Sequence, residues 1–395
     1  MTAAVLVKPG EDVPPTECFE YVTSYPRPTL PTPEWILCRV HVAGLNRAEL
    51  RGRAALLPGL GEFNIFQKEY HKDPPKILGE EFVGEVEEAG SDSGFTKGEK
   101  VTGFIYGGGK AYDGAYAEFT LCHKRRLYRL PESKLSWEVL GSIPMSMWTA
   151  YGSVFEAGGL DRRGRKASLL VHGGTSSVGV WAILLAKDRG HTVIATTRKE
   201  EKVHGLRQAG ADHVVLEEEI ESRVPELFPD GVDVVLELVG PNKTLKALSL
   251  TARYGTVVVT GVLSKQWSME GFKPAMIPTC RNLTFYGMTN RQSLGKEDEG
   301  LDQVESVLED VVRKVESGKF PKEVFMDRTF KLKDIGDAHA YMEVSGTPSE
   351  LRVCRVPYSM KNIRFTTVDL EPTADFTRGN RIIRQLVRWS SPCLR

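Results

Sequence analysis

Apolar and β-branched positions set the rhythm of this chain. Between residues 168 and 202 an apolar run, Leu169, Leu170 and Val171, gives way to a small-residue turn over 173–177. A helical pattern opens at Val178 and Gly179, and a second β-branched run follows over 192–197. That order predicts strand, turn, helix, strand, the opening of a βαβ unit. Residues 232–238 (VDVVLEL) and 255–262 (GTVVVTGV) read as continuous apolar strands, as a parallel sheet covered on both faces requires, and 283–287 adds another. Apolar residues at 304, 307, 308, 311, 312 and 315 keep a helix period.

Residues 3–131 follow a different rhythm. Short runs predict strands over 3–7, 35–42, 82–86, 100–105 and 114–121, and the Pro-rich connection 26–33 cannot continue a helix. Asn46 is placed to cap a short helix over 46–53. Residues 57–75, with few periodic apolars and several Gly and Pro, read as a loop near a site entrance. Glycines 107–109 mark a turn. Residues 137–140 and 149–157 look helical around the Ile143–Pro144 break. Strand-like 324–330 and 351–356 flank a helical 335–343, so the far end of the chain is expected to close back on its start.

The fold class expected is α/β: a doubly wound parallel sheet over residues 132–320, and a β-rich domain over 1–131 completed by a return segment, 321–356. Residues 357–395, with Trp389 and several basic residues, read as a C-terminal extension whose order the pattern leaves open.

Composition narrows the function. The chain has 395 residues, and 52 Lys and Arg balance 52 Asp and Glu, so no broad electrostatic pull toward nucleic acid or an anionic membrane is implied. No uninterrupted apolar run approaches the ~20 residues that span a bilayer. The N-terminus lacks the basic start and apolar core of a signal peptide. Six scattered cysteines without a CxxC pair suit reduced thiols, so a cytoplasmic protein is expected.

The turn carries the chemistry. The first N–H groups of a helix have no internal partners and its dipole favours an anion, so a strand-to-helix turn suits a pyrophosphate. The dinucleotide fingerprint falls on Gly174, Ser176 and Gly179, with serine in the middle position, and Thr175, Ser177 and Val178 complete the cradle. At the end of the second strand an acid would select the ribose 2′-OH and a cation a 2′-phosphate. Thr197, Arg198 and Lys199 stand there, with Lys202 just beyond, and no acid intervenes before Glu200. NADPH is therefore favoured over NADH; the other reading of Arg198 and Lys199 is a solvated helix start.

Together with these features, the blocks AGLNRAEL (43–50), LGEEFVGEVEEAG (78–90), GEKVTG (98–103), DGAYAEF (113–119), SIPMSMWTAY (142–151), VHGGTSSVG (171–179), EKVHGLRQAGADHVV (201–215), DVVLELVG (233–240) and RYGTVVVTG (253–261) occur in one order. In that order the chain resembles the medium-chain dehydrogenases/reductases, in particular their zinc-independent quinone oxidoreductase-like and enoyl reductase branch. The resemblance covers residues 3–356. It implies a GroES-like substrate domain made by both chain ends, a Rossmann domain between them, and an active site in the cleft. It also implies a cofactor cleft lined by Val239, Gly240, Gly261 and Val262, and a homodimer through an edge strand at 283–287.

The zinc enzymes of that family ligate catalytic zinc with a cysteine where this chain has Asn46 and a histidine where it has Glu80. They hold a structural zinc with four close cysteines, and residues 95–121 here contain none. Without such ligands no tetrahedral zinc site is expected. The activity implied is NADPH-dependent hydride transfer to a small molecule, a quinone or an α,β-unsaturated carbonyl. Two alternatives stand beside it: a trans-acting enoyl reductase of a biosynthetic pathway, and a non-enzymatic NADPH-binding sensor or structural protein. Asn46 is the candidate polar contact to the substrate carbonyl, or simply the helix cap. Thr149 is the candidate contact to nicotinamide or substrate, or packing after Pro144. Tyr70 is the nearest candidate proton donor in the loop. Glu217 stands where the branch often carries a tyrosine beside the adenosine end. Tyr254 and Tyr286 are read as core packing ahead of substrate contacts.

Overall fold

Because successive side chains of a strand point to opposite faces, a fully apolar strand needs cover on both sides. The computed structural model meets that demand; it describes residues 1–54, 76–104, 109, 112–287, 303–344 and 351–355. Tyr70, the loop around it, Gly107, Gly108 and the C-terminal extension lie outside the described residues.

Strands β1 (Ala3–Leu6) and β2 (Phe19–Val22) pair antiparallel. The chain then runs through β3 (Trp35–Leu45), β4 (Glu81–Ala89), β5 (Lys100–Phe104), β6 (Phe119–His123) and β7 (Leu127–Arg129). After these come β8 (Ser168–His172), β9 (Thr192–Thr197), β10 (His213–Leu216), β11 (Val232–Glu237), β12 (Thr251–Val259) and β13 (Asn282–Phe285). The last two strands are β14 (Met326–Lys331) and β15 (Leu351–Arg355).

Strands β8 to β13 form a six-stranded parallel sheet in the order β10-β9-β8-β11-β12-β13. That is a Rossmann order, which reverses direction between β8 and β11 and opens a crevice at their carboxyl ends. Its strands divide residue by residue between two cores. Leu169, Val171, Val193, Ala195, Val234 and Leu236 join one cluster with Trp181 and the helix Val304–Glu316. Leu170, Ile194, Val235 and Val257 join the other, with Ile220, Val224, Ala247 and Leu248 from two further helices. The sheet is doubly wound.

The second sheet has the order β14-β15-β3-β4-β5-β7, with β6 also on β3. β15 pairs antiparallel with the end of β3, Cys354 opposite Ala43, so the return segment joins the sheet begun by the N-terminal third. The buried Arg53 binds Glu343 and the Val13 carbonyl, tying three distant stretches together. This is the GroES-like part of the fold.

Several boundaries differ from the sequence pattern. The strand expected over 114–121 lies at Phe119–His123, because Gly114 is packed against the Leu78 and Gly79 carbonyls, where no side chain fits. β12 starts at Thr251 rather than 255, kinked at Tyr254 (φ 66°). β2, β7 and β10 are short strands that the pattern does not resolve. Pro144 does not break a helix; it begins one, Pro144–Tyr151, where its missing N–H costs nothing.

Candidate active site

The turn between β8 and the helix Ser177–Asp188 is built from small residues for identifiable reasons. Gly173 has φ 87°. A Cβ on Gly174 would stand 2.9 Å from the Ala195 Cβ, and one on Gly179 would stand 2.6 Å from the Gly173 carbonyl oxygen. Ser176, in the middle position of the fingerprint, is the N-cap: its Oγ accepts from the Gly179 N–H (3.1 Å) and donates to the Gly173 carbonyl (2.9 Å). The helix therefore begins at Ser177, earlier than the apolar pattern suggests, and the left-handed turn is at Gly173, one residue before the fingerprint. Thr175 is buried, while Ser177 and Val178 are half-buried in the first helical turn. The Thr196 hydroxyl and carbonyl of β9 hold the N–H groups of Gly173 (3.0 Å) and Gly174 (3.1 Å).

At the carboxyl end of β9, the Thr197 hydroxyl accepts from the Lys199 N–H (3.1 Å) and fixes the path of the chain. Arg198 and Lys199 are exposed there, and Lys202 ends the following single turn of 3₁₀ helix. On the other side of the crevice, the turns after β11 and β12 are laced together. The Leu263 N–H donates to the Leu238 carbonyl (3.1 Å) and the Ser264 N–H to the Val239 carbonyl (2.8 Å). A Cβ on Gly261 would stand 2.5 Å from the Leu238 carbonyl oxygen, which requires glycine. A Cβ on Gly173 would touch Leu263, Leu238 and Val239. The turns that carry Val239, Gly240, Gly261 and Val262 thus lie together beside the Gly173–Gly179 turn, at the carboxyl edge of the sheet.

Asn46 and Thr149 are joined by a continuous run of hydrogen bonds. The Asn46 Nδ2 donates to Glu81 Oε1 (2.9 Å), and Glu81 Oε2 accepts from the Met145 N–H (2.9 Å). The Thr149 Oγ1 donates to the Met145 carbonyl (2.7 Å), and the Ser153 Oγ donates to the Thr149 carbonyl (2.7 Å). Ser153 meets the Thr260 hydroxyl at 2.9 Å, next to Gly261. Asn46 is also the N-cap of Arg47–Arg53, closed by a capping box with Glu49, so the capping reading of this residue holds. On that helix, the Arg51 guanidinium lies 3.7 Å over the Trp267 ring, which follows the Gly261–Val262 turn. Tyr70, the third catalytic candidate, lies outside the described residues.

Beneath Asn46 sits a buried acid cluster. Glu49 Oε2 accepts from the Asn46 N–H (2.8 Å) and the Tyr116 hydroxyl (2.5 Å), and its Oε1 accepts from the Glu80 N–H (2.8 Å). The Tyr116 hydroxyl also lies 3.2 Å from His339 Nε2. Burial, with the Glu80 charge adding to it, pushes the Glu49 carboxyl up to about 8. Burial likewise raises Glu81 to about 7, against the bonds from Asn46 and Met145. Burial pulls His339 down to about 3, with the Arg53 charge helping.

Comparison with known proteins agrees with this geometry. Residues 32–132 match the family model "Alcohol dehydrogenase GroES-like domain" and residues 177–306 match "Zinc-binding dehydrogenase". A probable quinone oxidoreductase of Leishmania amazonensis is 32% identical over 236 residues, 58% of this chain and 62% of that protein. The quinone oxidoreductase of Homo sapiens is 28% identical over 238 residues, 59% of this chain and 66% of that protein. The chain belongs to the medium-chain dehydrogenase/reductase superfamily, in its quinone oxidoreductase-like branch. The aligned stretch spans a little under two thirds of these curated relatives.

Solved structures share the superfamily fold: the CurK enoyl reductase (TM-score 0.72, 17% identical, covering 90% of this chain and 99% of that one) and a mycobacterial protein complexed with NADPH (0.70, 22%, 90% and 99%). Among the described residues no group of three or more His, Cys, Asp or Glu is gathered that could hold a metal ion, and no helix is long and apolar enough to cross a membrane.

The superfamily motifs pointed to Asn46 and Thr149 but not to Glu81, whose two oxygens connect them. Its signal was an acid inside the apolar strand EFVGEV. Glu237, in VDVVLEL, gave the same signal, and the structure leaves it 0% exposed. Tyr254 is not core packing: it is 59% exposed, in a left-handed conformation, whereas Tyr286 is buried.

Proposed function

We propose that the protein is an NADPH-dependent, zinc-independent oxidoreductase that delivers hydride to a quinone or to the β-carbon of an α,β-unsaturated carbonyl compound. The observation that carries this reading is the unbroken hydrogen-bonded run from Asn46 through Glu81, Met145, Thr149 and Ser153 to Thr260. It links the Asn46 and Thr149 side chains by hydrogen bonds to Thr260, the residue before Gly261. The residues fit the cofactor. Gly174 and Gly179 admit no side chain, which keeps the backbone of this turn open to the pyrophosphate, and the helix behind it presents its first N–H groups. Arg198 and Lys199 are exposed at the strand end where a 2′-phosphate is read.

When bound, the reduced nicotinamide supplies a hydride. An amide nitrogen carries two N–H groups, and Glu81 takes one from Asn46, leaving the other to donate to a substrate carbonyl. That bond strengthens as negative charge grows on the oxygen during hydride arrival. Glu81, locked by Asn46 and Met145, holds the amide in this orientation. Thr149, half-buried on the same run, contacts the nicotinamide or the substrate. The names of the relatives, quinone oxidoreductases, and of one structural neighbour, an enoyl reductase, support these two acceptor classes.

The test is oxidation of NADPH at 340 nm with a panel of quinones and enones, in chelator, alongside dissociation constants for both dinucleotides. Turnover that survives chelation, with NADPH bound more tightly than NADH, is expected. Tight binding with no turnover of any electrophile would favour a sensor, and tighter NADH binding would overturn the cofactor assignment.

A further inference from the structure

A charged cluster lies under the crevice and takes no part in the hydride chemistry. His172 ends β8 and Glu237 ends β11, opposite each other in the parallel register; their side chains are 3% and 0% exposed. A lone charge in either place would be heavily penalised, so each depends on the other. His172 Nδ1 lies 2.6 Å from Glu237 Oε2. The other oxygen of Glu237 accepts from the N–H groups of Val239 (2.7 Å) and Gly240 (3.0 Å), the turn assigned to the cofactor cleft.

On the far side, His172 Nε2 stands 3.3 Å from Glu217 Oε1, which follows β10. Lys243, whose N–H donates to the Gly240 carbonyl, places its Nζ 3.6 Å from that same carboxylate. The charged groups facing His172 are thus Glu237 from β11, Glu217 after β10 and, through Glu217, Lys243. β9 presents only Thr196 and Thr197, with the exposed Arg198 and Lys199 beyond them.

We propose that His172, as an imidazolium, is a positioning residue for the dinucleotide: it holds Glu237, and through it the Val239–Gly240 turn, and neutralises Glu217 at the adenosine edge. Loss of its proton leaves two carboxylates against one lysine; the turn loosens, the crevice gains negative charge, and affinity for a polyanionic dinucleotide falls. This inference rests on the cofactor reading above.

Burial by itself pulls His172 down, but the hydrogen bonds and charges of Glu217 and Glu237 outweigh it and raise the group to about 9. The same partnership holds Glu217 below the usual carboxylate range. A histidine raised by folding contributes stability that is complete below its unfolded value, near 6.5, and lost as pH rises through about 9.

The experiment measures the NADPH dissociation constant by fluorescence, and the melting temperature of the cofactor-free protein, from pH 7 to 10.5. The wild-type constant should be flat to about pH 8 and rise about tenfold per pH unit above 9, as one linked proton requires, whereas the melting temperature should fall from pH 7 to about 9 and level off above it. Glu217→Gln removes one anion and should move both the onset of weakened binding and the pH at which the melting temperature levels off down by about one pH unit. His172→Gln should abolish the alkaline limb and weaken binding about tenfold at pH 7.5.

Both pH values unchanged in Glu217→Gln overturn the proposal, as does a wild-type profile in His172→Gln. Should His172→Gln fail to fold, Glu217→Gln decides alone. A limb that disappears in Lys243→Gln but is unmoved in Glu217→Gln would assign the titration to the lysine and reject the histidine. Failure to bind either dinucleotide at any pH refutes the cofactor reading, while the cofactor-free melting curves still decide the role of His172.

Discussion

At the scale of the residue, the site depends on buried acids that are held rather than free. Glu81 uses both oxygens to fix Asn46 and the helix bearing Thr149, so Asn46→Ala should lower kcat/KM for an enone or quinone by about 10–100-fold, measured at saturating NADPH. Arg198→Ala should weaken NADPH about tenfold and leave NADH unchanged in fluorescence titrations, because only one of the two carries the 2′-phosphate. The raised Glu49 has the opposite pH consequence to a salt-bridged acid. The unfolded chain gives up this proton near 4.5 and the folded chain near 8, so stability falls as pH rises between the two, by at most about 1.4 kcal/mol per unit. Glu49→Gln should make the fall in melting temperature across that window shallower. Asn46 and Thr149 were legible as motif positions. Their connection was not, because it runs through a main-chain N–H and carbonyl of Met145, which no side-chain pattern reports.

At the scale of the element, long and strongly patterned pieces were readable in the sequence. The apolar strands β8, β11 and β12 and the helix Val304–Glu316 declare themselves, since burial on two faces or one stripe leaves a run or a 3.6 period. Short strands such as β2, β7 and β10 have three or four residues each and owe their conformation to neighbours already in place. The serine in the fingerprint looked like a degeneracy, yet it does the work of an N-cap. Ser176→Ala should cost about 1 kcal/mol and lower the melting temperature by about 2–4 °C, whereas Ser176→Gly should cost only a few tenths. Within the turn, Gly179 should tolerate substitution worst, because a methyl there meets two backbone carbonyls and neither can retreat without unwinding the turn.

At the scale of the molecule, the parallel sheet ends at β13, an edge whose Phe285 is 57% exposed. An edge strand with an aromatic on its face is a template for a second copy, so light scattering should report twice the mass of one chain, and Phe285→Lys should halve it. The six strands of that sheet all come from residues 168–285, one uninterrupted stretch, while the other sheet is shared between the two ends of the sequence. A ribosome delivers the first stretch whole before β15 exists. The nucleotide sheet should therefore be protease-resistant on stalled nascent chains that stop short of residue 326, while the Val42–Leu45 end of β3, beyond the stretch that β6 pairs, waits with one edge unpaired until the closing strand is synthesised. β3 and β15 are partners that the order of synthesis keeps apart, which leaves the Val42–Leu45 end of β3 exposed to mispairing between newly made chains.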